Sequence, residues 1–285
     1  MYDVIIIGSG PAGISASLYI ARANKKVAVI GKNEGALSKT ELIENYYGFP
    51  EPISGKQLIA NGIAQAKRLG VEVMDKQVVS LSFDGKKFTV SADTDYTANA
   101  VILATGVAKN IPNIKGIRDF EGKGVSYCAI CDGFFFRKKA IGVIGAGEYA
   151  LHEANVLLNV TDDLTVFTNG KTPEVAFPEN VKVITEKIEE IKGEKTVSAI
   201  LLESGKSVPV SGIFVAEGIA GSFDLAKKVG VLTDGKKIIV NEQMQTNVPG
   251  LFAAGDCTGG LLQIAKAVHD GAVAGTECIK FLNKV

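Results

Sequence analysis

The sequence is short of the residues and patterns that mark several classes of protein. Four cysteines in 285 residues are too few for a secreted fold stapled by disulfides. No apolar run approaches the roughly 20 residues that span a bilayer. The N-terminus passes from Met1-Tyr2-Asp3 straight into an apolar run without a basic start, so no signal peptide is expected either. Lysine plus arginine and aspartate plus glutamate are each 31, leaving no net charge; neither nucleic acid nor a membrane surface is therefore the expected partner. Histidine occurs only as His152 and His269, both in helix-like stretches and both read as packing or surface residues. Arginine occurs four times, at 22, 68, 118 and 137, and never beyond. The default that these absences leave is a cytoplasmic enzyme.

What is present fits a globular protein with a real core: 46% hydrophobic and 22% charged residues, in a chain long enough for one large domain or two ordinary ones. Residues 4–7 are a short β-branched run that reads as a buried parallel strand. Gly8-Ser9-Gly10-Pro11-Ala12-Gly13 follows, then a helical stretch over 14–23 and a second strand over 27–30. In a strand–turn–helix unit the first glycine permits a tight turn, the second lets backbone approach a pyrophosphate, and the third lets helix and strand pack closely. The helix N-terminus then faces the phosphates. An acidic partner for a ribose is expected near the end of the second strand, where Glu34 is the candidate.

Residues 31–54 read as irregular, 55–69 as helix, and 100–103 as another buried strand ending in Ala104-Thr105-Gly106. A second strand–turn–helix unit starts at 140–144, with Gly145-Ala146-Gly147-Glu148-Tyr149-Ala150 as its turn and 164–167 as its second strand. Short strands fill 181–215. Residues 107–123 and 216–222 look like crossing linkers, and 251–254 leads into Gly255-Asp256 and a closing helix over 263–282. The Asp256 carboxylate could accept a hydrogen bond from a sugar-like hydroxyl of a cofactor. The order of elements predicts an α/β fold of two nucleotide-binding, Rossmann-like three-layer domains, the second inserted into the first. Residues 1–113 and 245–285 are the expected cofactor domain and 114–244 the insertion.

The chemical centre is Cys128-Ala129-Ile130-Cys131-Asp132-Gly133. Two thiols at this spacing can close a small disulfide ring, and exchange needs one thiolate to attack and one partner to resolve. Asp132 adjoins the second cysteine, where a carboxyl could donate or accept the thiol proton. The competing readings are half a zinc site and an ordinary turn aspartate. Cys257 and Cys278 are not spaced as a second ligand pair, so no metal is expected, and both read as buried small hydrophobes. Arg137-Lys138-Lys139 reads as a solvated basic turn that could also dock a partner.

On these motifs the sequence resembles the low-molecular-weight thioredoxin reductase family. The matches run along nearly the whole chain: residues 8–13, Thr40 and Ile43-Glu44-Asn45-Tyr46-Tyr47-Gly48-Phe49-Pro50, Ala104-Thr105-Gly106, Cys128 through Phe135, and Phe252-Ala253-Ala254-Gly255-Asp256. The resemblance implies a homodimeric FAD enzyme that reduces thioredoxin. Cys131 would face the flavin, Cys128 would exchange with thioredoxin, and Asp132 would be the acid/base. Asn45, Asp256 and Gln263 would lie along the FAD, with Gly8, Gly10, Pro11, Ala12, Gly13, Ala104, Thr105, Gly106 and Gly255 completing its site.

The second nucleotide unit departs from the family pattern. Its turn carries Glu148 and the bulky Tyr149, where a carboxylate would repel a pyrophosphate. The strand over 164–167 is followed by Thr168-Asn169-Gly170-Lys171, without arginine. A charge-assisted hydrogen bond contributes roughly 1.5–3 kcal/mol, so losing two to a 2′-phosphate weakens binding on the order of 10²–10⁴-fold. The closing helix also begins Leu262-Gln263 where the family commonly has Arg-Gln. A minority branch of the family keeps the flavin and the cysteine pair but takes its electrons from ferredoxin, and the chain resembles that branch. The alternatives are an ordinary NADPH-dependent thioredoxin reductase and a non-catalytic redox-sensing flavoprotein.

Overall fold

The computed structural model describes residues 1–32, 35–106, 112–218, 220–235 and 237–284. Its contacts divide the chain into two compact units, residues 1–108 with 221–285, and residues 109–220. Glu34 and the start of the first crossing, residues 107–111, lie outside the described residues.

The first segment contains β1 (Tyr2–Ile7), α1 (Pro11–Arg22), β2 (Val27–Ile30), α2 (Gly55–Arg68), β3 (Glu72–Met74), β4 (Ser80–Phe83), β5 (Phe88–Ser91) and β6 (Asp95–Leu103). β1 lies between β2 and β6, parallel to both, and Val4, Ile5, Ile6 and Ile7 are all buried. That double burial is why the strand reads as a continuous apolar run rather than an alternation. α1 opens at Pro11, three residues earlier than the apolar spacing suggested, because proline at a first helical position has its dihedral preset and lacks an N–H that would go unpaired there. β6 is longer than the expected 100–103. Its first half pairs antiparallel with β5 and is only partly buried, so no apolar run marks it.

The inserted unit contains β7 (Val125–Ser126), α3 (Ala129–Asp132), β8 (Ile141–Ile144), α4 (Glu148–Leu157), β9 (Leu164–Phe167), β10 (Lys182–Ile184), β11 (Ile188–Gly193), β12 (Val197–Leu202), β13 (Ser207–Pro209) and β14 (Gly212–Val215). Five strands form a parallel sheet in the order β10-β9-β8-β14-β7, and β11-β12-β13 form an antiparallel sheet. Ile144, Phe167, Ile213 and Val215 of the parallel sheet share one apolar cluster with Ile191, Val197 and Ile200 of the other.

The chain then returns to the first unit through α5 (Ser222–Lys228), β15 (Thr233–Asp234), β16 (Lys237–Ile238), β17 (Leu251–Ala253) and α6 (Ile264–Leu282). β17 extends the first sheet by pairing parallel with β6. The return lies at 220/221, not at the expected 244/245. The backbone N–H of Ser222 donates to Thr105 Oγ1 at 2.6 Å and Lys228 Nζ donates to the Val79 carbonyl at 3.3 Å, so α5 is bonded to the first unit. The architecture is α/β, two Rossmann-like domains with the second inserted into the first. Among the described residues no helix is long and apolar enough to cross a membrane.

Candidate active site

The first glycine turn leaves its backbone open on one side and tightly packed on the other. Gly8 has φ +117°, and a Cβ there would fall on the Ala104 carbonyl; a Cβ on Gly13 would fall on the Gly8 carbonyl and lie 3.1 Å from Ile6 Cγ2. Gly10 differs, with nothing within 4 Å of its Cβ position. The N-cap of α1 makes no side-chain hydrogen bond and its first turn holds no acid. The leading N–H groups are thus free of any side-chain cap and lie behind an open glycine face, the arrangement that accepts a phosphate.

Three sequence-distant segments meet at this turn. Ala104 touches Gly8, and Gly255, at φ +83°, brings its Cβ position within 2.9 Å of Ala12 Cβ. α6 packs on α1 through small residues, since a Cβ on Gly275 would lie 2.7 Å from the Ala16 carbonyl oxygen. Asn45 and Gln263, separated by 218 positions, are joined by a 3.2 Å hydrogen bond from Asn45 Nδ2 to Gln263 Oε1. Thr105 faces Ser222 instead of standing free: its N–H donates to Ser222 Oγ at 3.1 Å.

Gly255-Asp256 is held by a pair that the sequence reading did not single out. Lys266 Nζ donates to the Gly255 carbonyl at 2.8 Å and to Thr258 Oγ1 at 2.8 Å, and lies 2.7 Å from Asp270 Oδ2. The same Asp270 oxygen accepts the Gly255 N–H at 3.1 Å. One ion pair on α6 therefore brackets both sides of Gly255 and fixes where Asp256 stands. Burial pushes the Asp256 carboxyl up from its ordinary range, and the nearby Lys266 ammonium opposes that shift. The spacing of Lys266 and Asp270 one helical turn apart was legible; their target was not. Lys266→Met leaves the buried Asp270 carboxylate without its ion partner and is expected to destabilise the protein by about 2–3 kcal/mol. Urea unfolding checks this, and a change within about 0.5 kcal/mol would rule the bracket out.

In the inserted unit Cys128 and Cys131 are joined as a disulfide with a Cα–Cα distance of 5.3 Å, which removes the half-zinc reading. Cys128 is the N-cap of α3, and its Sγ accepts the Cys131 N–H at 3.2 Å. Cys131 is exposed whereas Cys128 is 3% exposed. The exchange role implied for Cys128 therefore needs a rearrangement that uncovers it. Ser126, which carried no sequence signal, links the motif: its Oγ donates to Asp132 Oδ2 at 2.6 Å and accepts the Cys128 N–H at 3.1 Å. Asp132 is thus tied back to the cysteine segment and not merely a turn residue facing water. Beyond it, Phe134 and Phe135 are exposed and the Arg137 guanidinium lies 5.3 Å from the Phe134 ring. Cys257 and Cys278 are buried, which pushes their thiols up to about 11 and about 12, so neither is a thiolate near neutrality.

The second glycine turn differs from its expected form. Glu148 is exposed, and Tyr149 does not block the turn: it is buried, and its hydroxyl donates to the Tyr127 carbonyl at 3.2 Å. A second carboxylate stands at the same turn. The Glu174 N–H donates to the Ala146 carbonyl at 2.8 Å, which brings its carboxylate oxygen within 2.7 Å of the Cβ position of Gly147, the N-cap of α4. Lys171, the lone cation offered by the segment after β9, is paired with Glu217 at the end of β14.

Comparison with known proteins gives a consistent set. The sequence profile described as "Pyridine nucleotide-disulphide oxidoreductase" matches residues 2–271. A thioredoxin reductase of Aquifex aeolicus is 35% identical over 99% of this chain and 94% of its own. Among solved structures, the atypical thioredoxin reductase TRi of Desulfovibrio vulgaris Hildenborough superposes with a TM-score of 0.94 at 39% identity, covering 100% of this chain and 99% of that one. A ferredoxin-flavin thioredoxin reductase of Clostridium acetobutylicum superposes with a TM-score of 0.75 at 33% identity, over 100% of this chain and 99% of that one.

Proposed function

Because the chain belongs to the thioredoxin reductase family of pyridine nucleotide-disulphide oxidoreductases, we propose that it is a flavin-dependent thioredoxin reductase whose electron donor is a reduced ferredoxin or a similar small redox protein, not NADPH. Its cofactor is FAD. The residues fit that group: Gly8, Gly10 and Gly13 with the uncapped start of α1 would hold the pyrophosphate, and Asp256, positioned by Lys266 and Asp270, would take a hydroxyl of the cofactor. Asn45 and Gln263 would line the same site. When bound, FAD can collect electrons singly and deliver a pair to a disulfide.

The chain's own chemistry is thiol exchange. Two electrons and two protons open the Cys128–Cys131 bond to two thiols. One thiolate attacks the thioredoxin disulfide, giving a mixed disulfide and one released thioredoxin thiolate, which takes up a proton. The second cysteine, deprotonated in turn, then closes on the first, reforming the Cys128–Cys131 bond and releasing reduced thioredoxin. Asp132, next to Cys131 in the chain and held by Ser126, would take and return that proton.

The observation that carries the choice of donor is Glu174 standing over Gly147. In an open α/β sheet the nucleotide enters where the strand order reverses, here between β8 and β14. That crevice holds the Glu174 carboxylate at its helix start and the Lys171–Glu217 pair at its rim. A pyrophosphate would meet the Glu174 carboxylate at that helix start and would find Lys171 already paired. The exposed Arg137, Lys138 and Lys139 beside the cysteine segment suit an acidic protein donor, with docking that weakens as the Debye length falls from ~10 Å at 0.1 M salt to ~3 Å at 1 M. Stopped-flow mixing under argon decides the donor. Reduced ferredoxin is expected to bleach the flavin and drive thioredoxin reduction in a salt-sensitive way, and micromolar NADPH to do neither. Fast, saturable bleaching by NADPH would restore the ordinary reductase.

A further inference from the structure

α4, the helix that the second glycine turn opens, reaches the cysteine segment at two points one turn apart. Tyr149 bonds to the Tyr127 carbonyl, and Glu153 Oε2 accepts the backbone N–H of Ala129 at 2.8 Å. Ala129 follows Cys128 directly, and Glu153 is 1% exposed, so a carboxylate charge there would be little screened by water. Resting on the reductase reading above, we propose that Glu153 is a positioning residue that decides which thiol of the reduced pair carries the negative charge, Cys131 and not Cys128.

The backbone alone would choose the other way. The Cys131 N–H lies 3.2 Å from Cys128 Sγ and favours a thiolate there. A buried carboxylate one residue along opposes that thiolate as a like charge and occupies the neighbouring amide that could otherwise turn toward it. Cys131 is exposed, so its anion keeps its hydration. Among the described residues, titratable groups on the same elements are Asp132 on α3, Tyr127 beside β7, and Tyr149 and His152 on α4. All are unchanged in E153Q, which keeps an acceptor for the Ala129 N–H and the side-chain shape while removing the charge.

The test uses the FAD-loaded protein reduced with dithiothreitol under argon. A limiting pulse of iodoacetamide is given at a series of pH values, and the labelling of Cys128 and Cys131 is read by mass spectrometry. E153Q is expected to raise the Cys128 share of label at neutral pH about tenfold and to lower the midpoint of its pH profile by about one unit. Profiles superimposing on wild type would overturn the proposal. Should E153Q fail to fold, E153M is read against wild type in the same way, and wild-type profiles in which Cys128 titrates at or below Cys131 overturn the proposal. Turnover of the wild type with thioredoxin, measured alongside, tests the reductase reading separately. Its absence would remove that reading and leave the label ratios to judge Glu153.

Discussion

Cys128→Ser and Cys131→Ser are each expected to abolish thioredoxin reduction while the protein stays folded and keeps its FAD. Serine fits either position, and at 128 its oxygen can still accept the Cys131 N–H that Cys128 Sγ accepts at 3.2 Å. What is lost is the second sulfur. With one thiol the protein can at most form a mixed disulfide, which nothing resolves. The loss reaches the detection limit because a neutral hydroxyl has no thiolate-like form near pH 7 to take over. FAD should remain because its candidate residues all belong to the first unit, whereas both cysteines belong to the insertion. Turnover with reduced ferredoxin and flavin absorbance together check both halves. The variants also assign the attacking thiol. If Cys128 attacks, Cys131→Ser traps thioredoxin as a complex visible on a non-reducing gel and Cys128→Ser does not. The burial of Cys128 beside an exposed Cys131 makes that outcome informative. Retained turnover in either variant would remove the pair from the mechanism.

Asp132→Asn is expected to slow the dithiol step by about 10²–10⁴-fold, the usual contribution of a positioned general acid or base. The substitution keeps size and shape. The Ser126 hydroxyl that donates to Asp132 Oδ2 at 2.6 Å can donate equally to the asparagine oxygen, so the network reaching the Cys128 N–H persists. Stability should therefore change by less than about 1 kcal/mol, within the range of a hydrogen bond that exchanges one acceptor for another. Single-turnover reduction of thioredoxin by the pre-reduced protein isolates this step from donor supply. A rate equal to wild type across pH would leave Asp132 with a purely structural place beside Ser126. A large stability loss with an unchanged rate would say the same.

Much of this was legible in residues close together in the chain. Four β-branched residues before Gly8-x-Gly10-x-x-Gly13 can only be a buried strand running into a tight turn, because each glycine answers a separate steric demand: a carbonyl against Gly8, open space at Gly10, a carbonyl and Ile6 at Gly13. Cys128-x-x-Cys131 is equally local, since a ring of that size closes without help from the rest of the fold. The second glycine turn shows the limit. The sequence marked residues 148 and 149 as the trouble, since they stand at the positions where a nucleotide would bind. Which way a side chain leaves a helix start depends on what packs against it. Tyr149 turned inward to Tyr127, Glu148 stayed exposed, and a further carboxylate reached the turn from Glu174, 27 positions beyond Gly147.

The same division holds throughout the molecule. The sequence by itself determined the α/β class, the order of the two nucleotide units and the redox pair, because strand burial, glycine turns and ring closure depend on neighbours within a few residues. Only the tertiary structure decided that Asn45 meets Gln263, that Lys266 and Asp270 bracket Gly255, that residues 221–244 belong with the first unit, and that Glu153 bonds the Ala129 amide next to Cys128. Those pairings join segments through space or aim a side chain at a backbone group. Hydrogen-bond partners and the exclusion of water are fixed by packing and leave no periodic trace along the chain.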